Sequence, residues 1–278
     1  MSSDVLSVQH DGNVATLWLD RAEARNAMGP AFWSDLPIAM SELSADPDVR
    51  AVVLAAKGPH FSVGLDLKAM GAILSGGGNG STDQNRQSRA ATAASARLGI
   101  RRMQASISSV ADCPKPVIAA VHGYCIGGGV DLITACDIRV ASADAVFSVR
   151  ETKMAIVADL GSLQRLPAII GAGHLAELAF TGKDIPAERA KEIGLVNKVL
   201  PDPGAAVEAA QSLAEEIAAN SPLVVQGTKT VLQTRDRRSI DEGLDYVAVW
   251  NAGFLQSDDL IEAVSAFMEK RPPKFTGN

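Results

Sequence analysis

The stretch KPVIAAVHGYCIGGGVDLITACDIRVAS, residues 115–142, decides how this chain is read. Val117 to Val121 form an apolar run of strand length, Gly127-Gly128-Gly129 follow, and VDLITAC reads as a helix. A glycine run between a strand and a helix permits a tight turn where side chains do not fit. It also leaves unpaired N–H groups at the positive end of a helix dipole, where an oxygen anion can be held. A dinucleotide fingerprint is a weaker reading, because GYCIGGGVD lacks the spacing G-x-G-x-x-G. Three carboxylates lie in or after the stretch: Asp131, Glu151 and Asp159. Donors beside carboxylates in an apolar setting suggest that a carbonyl is polarised and a proton is moved next to it.

Outward from this stretch the pattern is α/β. Val5 to His10 and Val14 to Leu19 predict two strands joined at Asp11-Gly12-Asn13. Phe32, Leu36, Met40 and Leu43 recur at helical spacing. VRAVVLAAKG is a buried strand, and HFSVGLDLKAM a turn leading to a short helix. Residues 75–88, SGGGNGSTDQNRQS, read as a surface loop before a helix from about Ala90 to Ala111. DIRVAS and AVFSVR read as strands, and GSLQRLPAIIG as a helix start with Ser162 as its N-cap. From Pro201 onward the pattern is helical, which suits packing against another subunit.

Composition narrows the partners. The 278 residues are 47% hydrophobic, enough for a large core domain and an appendage. A net charge of −6 argues against a general nucleic-acid binder while leaving room for an anionic small ligand. Cys113, Cys125 and Cys136 are odd in number and lack metal-like spacing, so a reducing compartment and buried thiols are expected. No signal peptide, membrane span or SKL-type ending is read, which makes the cytoplasm the expected location. Neither a metal nor a membrane partner is expected.

FSVGLDLKAM offers a second donor, since Gly64 lets the chain turn and the N–H of Leu65 face a ligand. Two convergent N–H groups are what an enolate needs. Together these segments resemble the crotonase (enoyl-CoA hydratase/isomerase) superfamily. The likeness extends from RAEARNAM at 21–28, through both glycine turns, to EKRPPKF at 269–275. Within it, Asp131, the acidic pair of VRETKMAIVADLGSLQRLP at 149–167, and the tail at 245–270 are most similar to the dienoyl-CoA isomerases. Lys153 and Ala155 depart from that pattern, standing where an acid and a glycine are common.

The resemblance implies a crotonase-type spiral of ββα turns over residues 1–200 and a helical oligomerisation region over 201–278. It implies trimers or hexamers, an acyl-CoA thioester substrate, and no cofactor beyond the CoA of the substrate. Leu65 and Gly128 would supply the oxyanion hole, Glu151 and Asp159 would carry protons, and Asp131 would act within the same pocket. Lys68, Lys270 and Lys274 are candidates for the CoA phosphates. His60, His122, Asp137 and Arg139 read as structural, and Tyr246 and Trp250, four residues apart, as suited to packing or a subunit interface. The rivals are a hydratase, disfavoured by Asp131 and Asp159, and a non-catalytic acyl-CoA binder, disfavoured by the intact carboxylates.

Overall fold

The computed structural model describes residues 3–69 and 88–277. Nine strands are present among them: β1 Leu6–Asp11, β2 Val14–Leu19, β3 Ala51–Ala56, β4 Val117–Val121, β5 Tyr124–Ile126, β6 Ile138–Ser142, β7 Val146–Ser148, β8 Ile185–Pro186 and β9 Lys198–Leu200. The helices are α1 Pro30–Ala45, α2 Arg89–Asp112, α3 Gly128–Thr134, α4 Ser162–Ile170 and α5 Ala172–Thr181, then α6 Ala187–Glu192, α7 Pro203–Ala218, α8 Pro222–Thr234, α9 Arg237–Phe254 and α10 Asp258–Glu269.

The large sheet has the order β1-β2-β3-β4-β6-β9, and a small one the order β5-β7-β8. β1 and β2 form the predicted antiparallel hairpin, and the remaining pairs of the large sheet are parallel. The later turns of the spiral give one strand to each sheet. β4 enters the large sheet and β5 the small one, and β6 and β7 repeat this. β3 and β4 are apolar throughout because both faces of a parallel sheet are covered. Val52 and Leu54 face one core, while Val53 and Ala55 face the other.

The second face is closed by α7. Ala206, Ala210, Ala214 and Ala218 recur every four residues and are buried, and the last three join the cluster containing Val53, Ile118 and Val140. The first helix after residue 200 is thus part of the sheet's covering layer. Two local expectations change. Ser162 is the first helical residue, not the N-cap: Gly161 holds that position with φ 129° and no side-chain cap. The AVFSVR strand stops at Ser148, so Glu151 opens a 3-10 turn, Glu151–Met154. Of the expected 75–88 loop, residues 75–87 lie outside the described residues. Ser88 caps α2, its Oγ accepting the N–H of Ala91 at 3.2 Å.

Candidate active site

The two glycine turns are held side by side. The N–H groups of Phe61 and Ser62 donate to the carbonyls of His122 and Tyr124, and Ile126 donates back to Ser62. Gly64 has φ +83°, and a Cβ there would lie 2.8 Å from the Ile126 carbonyl oxygen and 3.3 Å from the Gly128 nitrogen. Only a residue without a side chain brings the strands this close. Met28 donates to the Gly64 carbonyl at 2.8 Å and accepts from Asp66 at 3.0 Å, bracketing Leu65. No described group accepts from the N–H of Leu65 or of Gly128, and both residues line one cleft of about 1820 Å³.

Sequence reading missed what fixes this frame. Arg25 and Asn26 both adopt left-handed backbone, with φ of 53° and 52°. The buried Asn26 amide donates to the Lys57 and His60 carbonyls, and its oxygen accepts from Arg21 N–H. Arg21 also pairs with Asp66 at 2.7 Å, beside Leu65.

All three predicted carboxylates line the cleft. Asp131 is 1% exposed in the first turn of α3, and its Oδ1 accepts the N–H of Ser162 at 2.6 Å. It therefore caps α4 from another helix, which is why Ser162 need not. Glu151 lies against Gly127, whose added Cβ would be 3.3 Å from Glu151 Oε1. The other oxygen, Oε2, is buried without a hydrogen-bond partner. Asp159 Oδ2 accepts from Asn251 Nδ2 at 2.8 Å, and its backbone carbonyl accepts from Gln104 Nε2 at 2.8 Å.

Burial raises the proton affinity of all three. Asp131 is pushed up to about 6, partly offset by the N–H bond from Ser162. Glu151 is pushed up to about 8, with the Asp131 charge adding to burial. Asp159 is pushed up to about 7 against the opposing Asn251 bond. Carboxyls held near neutrality can give or take a proton at physiological pH.

The lysines separate. Lys68 lines the cleft, while Lys270 and Lys274 are exposed and lie outside it in the same chain. Arg21, Arg25 and Arg150 are further cations on its wall. Lys153 is exposed, its stem against Gly182, and Ala155 takes left-handed backbone at φ 54°. His122 bonds the Gly58 carbonyl and His60 accepts the Tyr124 N–H, both supporting backbone. Arg139 is buried against three carbonyls, and Asp137 pairs with Lys229. No His, Cys, Asp or Glu group among the described residues is placed to hold a metal ion.

The enoyl-CoA hydratase/isomerase family model matches residues 9–278. The chain is 45% identical to the peroxisomal Δ(3,5)-Δ(2,4)-dienoyl-CoA isomerase of Arabidopsis thaliana, over 98% of this chain and 96% of that protein. It is 46% identical to the mitochondrial enzyme of that name from Dictyostelium discoideum, over 95% and 88%. Among solved structures, an enoyl-CoA hydratase from Bacillus anthracis is similar at 30% identity and TM-score 0.72, covering 99% of this chain and all of that one. On these grounds, and with the spiral fold and paired glycine turns, the chain belongs to the enoyl-CoA hydratase/isomerase family.

Proposed function

We propose that this protein is a Δ3,5-Δ2,4-dienoyl-CoA isomerase acting in the β-oxidation of unsaturated fatty acids. The observation that carries the reading is Asp159, a second proton-carrying carboxyl in the same cleft as Glu151. The relatives' names point to the same reaction.

The thioester oxygen accepts from the N–H groups of Leu65 and Gly128. One carboxylate removes a proton from C2, and the electron pair of that C–H bond becomes the C2–C3 double bond. The C3–C4 double bond moves to C4–C5, and the C5–C6 pair takes a proton at C6 from the other carboxyl. In the intermediate trienolate the C2 pair is shared with the thioester carbonyl, which places charge on its oxygen, where each preorganised donor is worth about 3–4 kcal/mol. Two carboxyls spread along the substrate serve the two ends of this shift. Asp131 sits beside them, raising the proton affinity of each by its charge. The reaction is redox-neutral and its proton carriers are side chains, so the proposal includes no cofactor and no metal.

Lys68, on the cleft wall, would meet a CoA phosphate. The assembly proposed is a trimer or a hexamer of two trimers. Leu223, Val231, Leu232, Phe254 and Phe267 on α8 to α10 are exposed in the single chain and would be covered there. The compartment proposed is the cytoplasm, while the two relatives above carry peroxisomal and mitochondrial designations. Three buried free thiols fit any reducing compartment, and fractionation of the native cell decides. Among the described residues no helix is long and apolar enough to cross a membrane.

Incubation with a 3,5-dienoyl-CoA tests the activity. The expected result is growth of conjugated 2,4-dienoyl thioester absorbance, lost in Asp159→Asn and Glu151→Gln. Rapid hydration of a trans-2-enoyl-CoA with no diene conversion would make the protein a hydratase instead.

A further inference from the structure

Asn251 is the polar residue on a face of α9 that otherwise buries Leu244, Val247 and Ala248. It is 2% exposed and lies 92 residues downstream of Asp159. An amide in such a place needs partners. Its Nδ2 finds two, the Val157 carbonyl and Asp159 Oδ2, each at 2.8 Å. The same face of α9 is held from the other side, where Gln104 Nε2 bridges the carbonyls of Leu244 and Asp159 at 2.9 and 2.8 Å. The loop carrying Asp159 is thus fixed at its backbone by α2 and at its carboxylate by α9.

The geometry points to Asn251 as a positioning residue for the isomerisation, one that commits Asp159 Oδ2 to an amide donor and leaves Oδ1 as the oxygen that exchanges its proton with substrate. The inference rests on the isomerase reading above. No described side chain donates to Oδ1, the carboxyl's further donor is the Asp159 backbone N–H, and Asp159 lines the cleft. An N–H donor also favours the carboxylate over the carboxylic acid. It therefore opposes burial and the Asp131 charge, and keeps Asp159 able to release a proton as well as bind one. The titratable groups facing Asp159 are Glu151 from the 3-10 turn and Asp131 from α3. α2 presents Gln104 and α9 presents Asn251, both neutral. Arg165 of α4 acts on Asp131.

The test is Asn251→Leu, with Asn251→Ala as a second donorless variant if the leucine does not fold, and Asn251→Gln as the conservative one. Carbon-13 NMR of labelled aspartate, assigned with Asp159→Asn, reads the Asp159 carboxyl directly. Its titration is expected to move up by about one pH unit without the donor. On a 3,5-dienoyl-CoA, kcat is expected to fall about 10- to 100-fold with KM little changed. The limb of the pH profile that belongs to Asp159 should move with the NMR titration, and Asn251→Gln should recover part of both. An Asp159 titration unchanged in a folded donorless variant overturns the inference whatever the substrate. Wild-type protein inactive on dienes, with the titration shifted as expected, would instead overturn the isomerase reading and leave the donor's effect on Asp159 standing.

Discussion

Glu151→Gln is expected to flatten the dependence of stability on pH. Burial and the Asp131 charge raise the Glu151 carboxyl from 4.5 to about 8 in the folded protein. Between those values the native state binds the proton and the unfolded chain does not. Folding then takes up a proton, so stability falls as pH rises through this window and the full penalty is present above about pH 8. The span from 4.5 to about 8, at about 1.4 kcal/mol per pH unit, sets a ceiling of about 5 kcal/mol. From about pH 5.5 to about pH 8.5 the ceiling is about 3 kcal/mol. Asp131 shares the titration, which leaves roughly 1–3 kcal/mol to Glu151 itself. Urea unfolding of both proteins at the two pH values reads the difference. The slope is the informative quantity, because the glutamine adds a buried amide where Oε2 already lacks a partner. Wild type should lose about 1–3 kcal/mol more than the variant on going to the higher pH. Parallel losses, within about 0.5 kcal/mol, would refute the claim that Glu151 is held protonated by its surroundings.

Other changes follow from the frame around the site. Gly64→Ala forces a Cβ to 2.8 Å from the Ile126 carbonyl at φ +83°, so it should cost about 2–4 kcal/mol in urea unfolding and reduce diene turnover at least about 100-fold. Asn26→Ala removes three hydrogen bonds from a left-handed buried position and should cost about 3 kcal/mol by the same measurement. Ala155→Gly relieves left-handed strain at φ 54° and should raise stability by about 0.5–1 kcal/mol, read as a higher melting temperature.

The legible parts of this fold were those with a local signature. Apolar runs gave β3 and β4, spacing gave α1 and α2, and the glycines marked both turns because backbone geometry itself demands them. The three carboxylates were assigned by resemblance to the family's motifs, and they do line one cleft. What stayed hidden depends on contacts far apart in sequence. Ser162 has the residue type of an N-cap, yet Asp131, 31 residues earlier, accepts its N–H. Arg21 and Asp66 look like ordinary surface charges until the fold pairs them. Asn251 carried a signal that could have been used: a polar residue at helical spacing from Leu244, Val247 and Ala248 is a buried amide in want of a partner. Its partner could not be named, because nothing local relates Asn251 to an aspartate 92 residues earlier.

The tie between α9 and the Asp159 loop also orders events during synthesis. A chain that has left the ribosome as far as α3 already contains both glycine turns, and one that reaches α4 contains all three carboxylates. Asp159 nevertheless has neither its amide donor nor the Leu244 end of the Gln104 bridge until α9 emerges and docks. The two glycine turns and all three carboxylates can therefore be present well before the Asp159 carboxylate is held, and that hold arrives only with one of the last helices to be made.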